Sequence, residues 1–189
     1  MMVSGVLLIA DAGSTLLWQE PVSWVLAERR QAELESAFAK PPPRVLRGKP
    51  LPGDSIAKLT IPKLDRSYFV VEGTDAGDLR KGPGHYNDTP LPGRGGTVAI
   101  AGHRTTYGAP FRDIDDLKPG DQIRVEMAKG RFTYAVEKTR LVDPSEVSVK
   151  RRVGHERLIL TACHPLYSAA QRIVVFARLR NRDLKSTVR

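Results

Sequence analysis

The chain has 189 residues, 41% of them hydrophobic, enough to bury the core of one domain with a terminal segment to spare. Thirty Lys and Arg against 21 Asp and Glu give a net charge of +9, which suits an anionic partner such as a cell-wall polymer or a membrane surface. Aromatic residues, at 6%, offer no stacking platform, which argues against nucleic acid, and one cysteine excludes an internal disulfide and every CxxC zinc arrangement. His85, His103, His155 and His164 have neither HExxH nor His-x3-His spacing, so no metal and no cofactor is expected.

The N-terminal stretch "MMVSGVLLIADAGSTLLWQEPVSWVLA" is mostly apolar up to Trp18, interrupted by Asp11 and closed by Glu20. It reads either as a membrane anchor or as an amphipathic helix packed on the domain. No Lys or Arg precedes it, so the basic flank of a signal segment is missing, and a longer natural N-terminus or a misassigned start is expected. "AERRQAELESAFAK" (27–40) is rich in helix formers and reads as an exposed helix continuing that segment. "PPPRVLRGKPLPGD" (41–54) reads as a stiff, extended linker. The expected organisation is a membrane-anchor or helical stalk over 1–40, a Pro-rich linker over 41–53, and a folded domain over 54–189.

Within that domain, short β-rich runs alternate with turn residues. Strands are expected at 55–62, 67–73, 96–102, 121–142 (a hairpin turning at Lys129-Gly130), 157–163 and 172–179. The segments between them read as long loops with at most a helical turn or two. Seven or eight short strands with little helix predict a β-barrel or sandwich.

The chemistry gathers at strand ends. In "RLILTACHPLYSAAQRIVVFARL" (157–179) two strands flank a Pro-containing turn, so the end of one lies beside the start of the next. Cys163 and Arg172 hold those two places. Period-two alternation puts Ile159, Thr161 and Cys163 on one face. A guanidinium beside a thiol favours thiolate, the nucleophilic form. The plain alternative is a small buried cysteine of no function. A nucleophilic thiol also needs an imidazole partner. His164 is adjacent and points away, His155 lies at the far end of the strand, and His85 sits in a Gly/Pro-rich loop. His103 directly follows the buried run "TVAIAG". If strands 97–102 and 157–163 are parallel neighbours, His103 and Cys163 share a rim.

"VAIAGHRTTYGAPF", "LILTACHP" and the arginine nine positions after the cysteine resemble the sortases, cysteine transpeptidases of the Gram-positive surface. The resemblance covers residues 54 to about 180 and is greater to class E than to class D. It implies a closed eight-stranded β-barrel preceded by an N-terminal helical segment. It places the family's catalytic histidine, cysteine and arginine on His103, Cys163 and Arg172. The family motif Thr-Leu-x-Thr-Cys reads Ile159-Leu160-Thr161-Ala162-Cys163 here. Thr161, Ala162, Tyr107 and His85 are the expected substrate contacts.

The resemblance further implies a thioester on Cys163, formed by cleaving a Leu-x-x-Thr-Gly sorting signal between Thr and Gly. Class E suggests Leu-Ala-x-Thr-Gly, with Tyr107 reading the second position. The expected partners are surface proteins bearing the signal, a peptidoglycan-precursor or pilin amine, and a membrane held through the N-terminus, with the catalytic domain extracytoplasmic. The competing readings are a peptidoglycan-directed cysteine peptidase or L,D-transpeptidase, and a basic wall-binding β-domain with an inert cysteine. "TACHPL" lacks the His-Gly-Cys signature of the L,D-transpeptidases.

Overall fold

Alternating apolar side chains close eight strands around a shared interior. They are β1 (Ser55–Ile61), β2 (Arg66–Glu72), β3 (Gly84–His85), β4 (Thr97–Ala101), β5 (Gln122–Met127), β6 (Gly130–Val142), β7 (Arg157–His164) and β8 (Gln171–Leu184). The computed structural model describes residues 25–185. The strands form a closed barrel in the order β1-β2-β3-β4-β7-β8-β6-β5, the eight-stranded all-β architecture expected from the sequence. Leu59, Val70, Ile100, Ile123, Leu158 and Val175 fill its centre, each at most 2% exposed.

Every expected strand is present, but one was not anticipated. β3 has only two residues and lies inside a Gly/Pro-rich loop, too short to show a period. It pairs parallel with β2 and antiparallel with β4, closing the barrel. Gly84 makes this closure possible, because a Cβ there would collide with the carbonyl of Gly73. The β5–β6 hairpin turns at Ala128-Lys129. β8 runs past residue 179 to Leu184, because β6 pairs with it from Val142↔Arg172 to Gly130↔Leu184.

The N-terminal part departs from the expectation of an exposed stalk. Residues 25–39 form a helix, α1, whose Leu34 and Phe38 pack on Phe69 and Val71 of β2. The Pro-rich stretch is not simply extended. It contains a helical turn, α2 (Pro43–Leu46), and Arg44 of that turn makes a two-pronged ion pair with Asp54 at 2.6 and 2.8 Å. The expected membrane anchor falls on residues 1–24, outside the described residues. Among the described residues no helix is long and apolar enough to cross a membrane.

His85 is a correction. It was expected to touch substrate, yet it is 2% exposed and built into the barrel wall. Its Nε2 faces the Pro90 carbonyl at 3.3 Å and Thr89 Oγ1 at 3.1 Å. The Thr89 hydroxyl donates to the Tyr86 carbonyl at 2.8 Å, so Nε2 must be a donor. A proton must then also lie between Nδ1 and Glu72 Oε2, 2.9 Å apart. Glu72 is itself 6% exposed. Removing one partner of such a pair leaves a buried, unpaired group. His85→Ala is therefore expected to destabilise the fold by about 3–5 kcal/mol in urea unfolding, with Glu72→Leu/His85→Phe recovering most of the loss.

Candidate active site

The site is set by sheet register. β4 and β7 are parallel neighbours, with Ala101 opposite Thr161. The pairing continues one step further, where the Gly102 N–H donates to the Thr161 carbonyl at 3.0 Å. Two residues beyond the Ala101–Thr161 pair stand His103 after β4 and Cys163 on β7. Both line a cavity of about 330 Å³, shared with Arg104, Thr105, Pro165, Tyr167, Ser168 and Ala169. On the other side of β7, Cys163 is the register partner of Arg172 on β8. Arg172 Nη1 donates to the carbonyls of Ala169 (3.0 Å) and Gln171 (3.1 Å), so its side chain lies along the β7–β8 loop.

The two faces of β7 have separate tasks. Leu158, Leu160 and Ala162 point into the barrel core. Ile159 packs on the outer face of the wall with Ala99, Val174 and Phe176, roofed by Tyr86 and Val149. Thr161 shares that outer face, and its Oγ1 lies 3.3 Å from the Tyr86 hydroxyl. Cys163 follows two residues on. Ala162 is the second correction. It is 4% exposed and belongs to the core cluster, so the alanine in place of the family threonine changes interior packing rather than the cavity.

The loop after β4 is folded back on itself. The Phe111 N–H donates to the His103 carbonyl at 2.9 Å, and the Phe111 ring lies over Gly102, where a Cβ would come within 2.5 Å of it. Phe111 is fully buried, so only glycine fits under it. The half-buried His103 ring packs against Tyr107 with centroids 5.1 Å apart and the ring planes tilted by 51°. Burial lowers the His103 pKa below the ordinary histidine value, and the positive charge of Arg80 lowers it further. The resting imidazole is thus biased toward its neutral form.

Sequence reasoning missed two residues here. Arg104 is 3% exposed and ties the rim together. It donates to the Arg112 carbonyl through Nε and Nη2, to Asp115 Oδ1 at 2.7 Å, and contacts His164 Nδ1 at 3.2 Å. It thereby joins the residue after the histidine to the residue after the cysteine. Arg80 reaches the site from the other side, with its guanidinium carbon 5.8 Å from the Tyr107 ring centroid. A larger cleft of about 540 Å³ runs between α1 and β2 and meets the site only at Tyr107. We place the chemistry in the smaller cavity, because the thiol and imidazole are there.

The sortase domain family model matches residues 59–180, nearly the whole barrel. This chain belongs to the sortase family. It is 39% identical over 135 residues to sortase D of Bacillus subtilis (strain 168), a match covering 69% of this chain and 66% of that protein. It is 33% identical over 194 residues to sortase SrtE1 of Streptomyces coelicolor, covering 93% of this chain and 54% of that one. The chain thus spans about half to two thirds of the length of these curated relatives. Among solved structures, sortase E1 from Streptomyces coelicolor, which holds a tripeptide in its active site, superposes with a TM-score of 0.67 at 31% identity. That superposition covers 72% of this chain and 94% of the other. Both sortase classes weighed from the sequence are represented among these relatives, and the sortase barrel is the fold described above.

Proposed function

We propose that the chain is a cysteine transpeptidase acting on a Leu-x-x-Thr-Gly sorting signal, of the Leu-Ala-x-Thr-Gly kind. The observation that carries this reading is the β4–β7 register, which sets the His103 imidazole and the Cys163 thiol on one cavity. The Cys163 thiolate attacks the Thr carbonyl carbon, and the Thr–Gly bond breaks as the His103 imidazolium gives its proton to the leaving glycine amine. This leaves a thioester and a neutral imidazole. An acceptor amine then attacks the thioester, His103 takes the amine proton, and the C–S bond breaks to restore the thiolate. The lowered pKa of His103 makes it a ready base for the second half and a scarce acid for the first.

Arg172 is assigned to the substrate backbone or the developing oxyanion. Its bonds to the loop carbonyls use Nη1, which leaves Nε and Nη2 as donors. Tyr107, beside His103, is assigned to the second position of the signal. Thr161 serves indirectly, through the Tyr86 hydroxyl. The partners are surface proteins bearing the signal and a cell-wall or pilin amine. The apolar N-terminal segment is proposed to hold the enzyme at the membrane, with the barrel outside it.

The test is incubation with a Leu-Ala-x-Thr-Gly peptide and a small amine, followed by mass spectrometry. We expect a peptidyl thioester on Cys163 and the amine-capped product. A protein that gives neither would refute the reading. Hydrolysis that added amine never diverts would point to a peptidase instead.

A further inference from the structure

β2 has an open edge. β3 pairs with it only at Val71 and Glu72, so among the described residues the backbone of Phe69 has no strand partner on that side. Gln31 of α1 takes that place. Its Oε1 accepts from the Phe69 N–H at 2.7 Å, and its Nε2 donates to the carbonyls of Phe69 (3.1 Å) and Lys81 (2.9 Å). Gly82 admits the carboxamide, since a Cβ there would collide with Gln31 Nε2. One residue earlier on the helix, Arg30 Nη1 donates to the Arg80 carbonyl at 2.9 Å. The first turns of α1 thus hold the backbone of residues 80–82.

The same helix supports the histidine loop. A Cβ on Gly108 would stand 3.2 Å from the Ala27 methyl, so the loop lies against α1. Tyr107, Gly108 and Ala109 have φ of 52°, 77° and 41°, three consecutive left-handed residues, two of which carry side chains. Such a run persists only when its surroundings hold it. Arg80 covers the Tyr107 ring, and Tyr107 covers His103.

We infer that α1 is a working part of the active site: through Arg80 and the 107–109 loop it holds Tyr107 against His103 and so fixes the imidazole beside Cys163. The inference rests on the reading of His103 as proton carrier. Arg80 is a positioning residue, since it acts through Tyr107 and touches neither thiol nor peptide. The other polar and charged groups around His103 are Cys163, Tyr167, Thr105 and Ser168 in the cavity and the neighbouring Arg104, which is engaged with Asp115 and His164. Glu28 and Glu35 on α1, Lys81 in the segment that α1 holds, Asp65 just before β2, and Arg66 and Tyr68 on β2 line the cleft that Tyr107 borders. Only Arg80 among these bears on His103 as a lowering charge.

The experiment compares the full chain with Arg80→Met, Arg80→Lys and Gln31→Ala in steady-state transpeptidation from pH 5 to 10, with Tm recorded for each. Arg80 is exposed, so its variants keep the barrel intact. Arg80→Met should lower kcat by about tenfold or more through misplacement of His103. It should also shift the acid limb of kcat/KM to higher pH, because a cation that disfavours imidazolium is gone. Arg80→Lys should return that limb toward its original position. Gln31→Ala should lower kcat by about tenfold with peptide KM little changed. NMR titration of the His103 ring reads the same effect without turnover: its midpoint should rise in Arg80→Met. This keeps the inference testable if wild type forms no thioester and the transpeptidase reading falls. An unmoved midpoint in Arg80→Met, or wild-type kcat in both Arg80→Met and Gln31→Ala, overturns it.

Discussion

Cys163→Ala is expected to remove both thioester formation and transfer, a loss of at least about 10⁴-fold in kcat/KM, because covalent catalysis has no substitute nucleophile in the cavity. Thr105 and Ser168 share that cavity, but neither stands in the β4–β7 register opposite His103. The variant should fold normally. Cys163 is half-buried at a strand end, and its neighbours Thr161 and Ala162 carry the outer-face contact and the core contact on either side. Mass spectrometry of the quenched reaction gives the first result and thermal unfolding the second. A variant that still transfers peptide to amine would show that the thiol is a bystander.

Arg172→Ala comes next in size. Removal of a donor aimed at a developing oxyanion costs about 10²–10³-fold, and here it should fall on the acylation step. Stability should change far less, because the two carbonyl bonds made by Nη1 are exposed. Arg172→Lys should recover little. An ammonium is a point donor, whereas the guanidinium can keep one nitrogen on the loop and present another to the substrate. Single-turnover acylation separates this from a defect in the acceptor step. An unchanged acylation rate would remove Arg172 from the machinery.

Much of this site could be read before the barrel was seen. A spacing of nine positions from Cys163 to Arg172, divided by a Pro-containing turn, suffices to set them opposite each other in a hairpin. The parallel pairing of β4 with β7 was only a condition in the sequence, since no local pattern specifies which strands meet. The two misplaced substrate contacts have different causes. Ala162 was assigned because it holds the place of the threonine before the cysteine in the family motif, although the period-two rule that puts Thr161 and Cys163 outward also puts Ala162 inward. His85 looked accessible because its loop is rich in Gly and Pro. Burial there follows from β3, which is too short to show periodicity.

α1 carried a signal that went unread. Ala27, Gln31, Leu34 and Phe38 recur at helical spacing and form the face that meets Gly108 and β2, but the polar Gln31 in their midst disguised the stripe. Arg80 and Arg104 lie in loops distant in sequence from the thiol. Only the folded chain brings them to the rim.

The β4–β7 register has a consequence for how such a chain can change in length. Inserting or deleting one residue within 97–103 or 157–163 would turn every following side chain to the opposite face, aiming Cys163 into the barrel and Ala162 outward. The exposed segment 165–170 is under no such constraint, because β6 and β7 set the alignment of β8 from both sides. Evolution or an engineer can therefore lengthen or shorten the wall of the cavity while the thiol, the imidazole and the backbone of Arg172 keep their places.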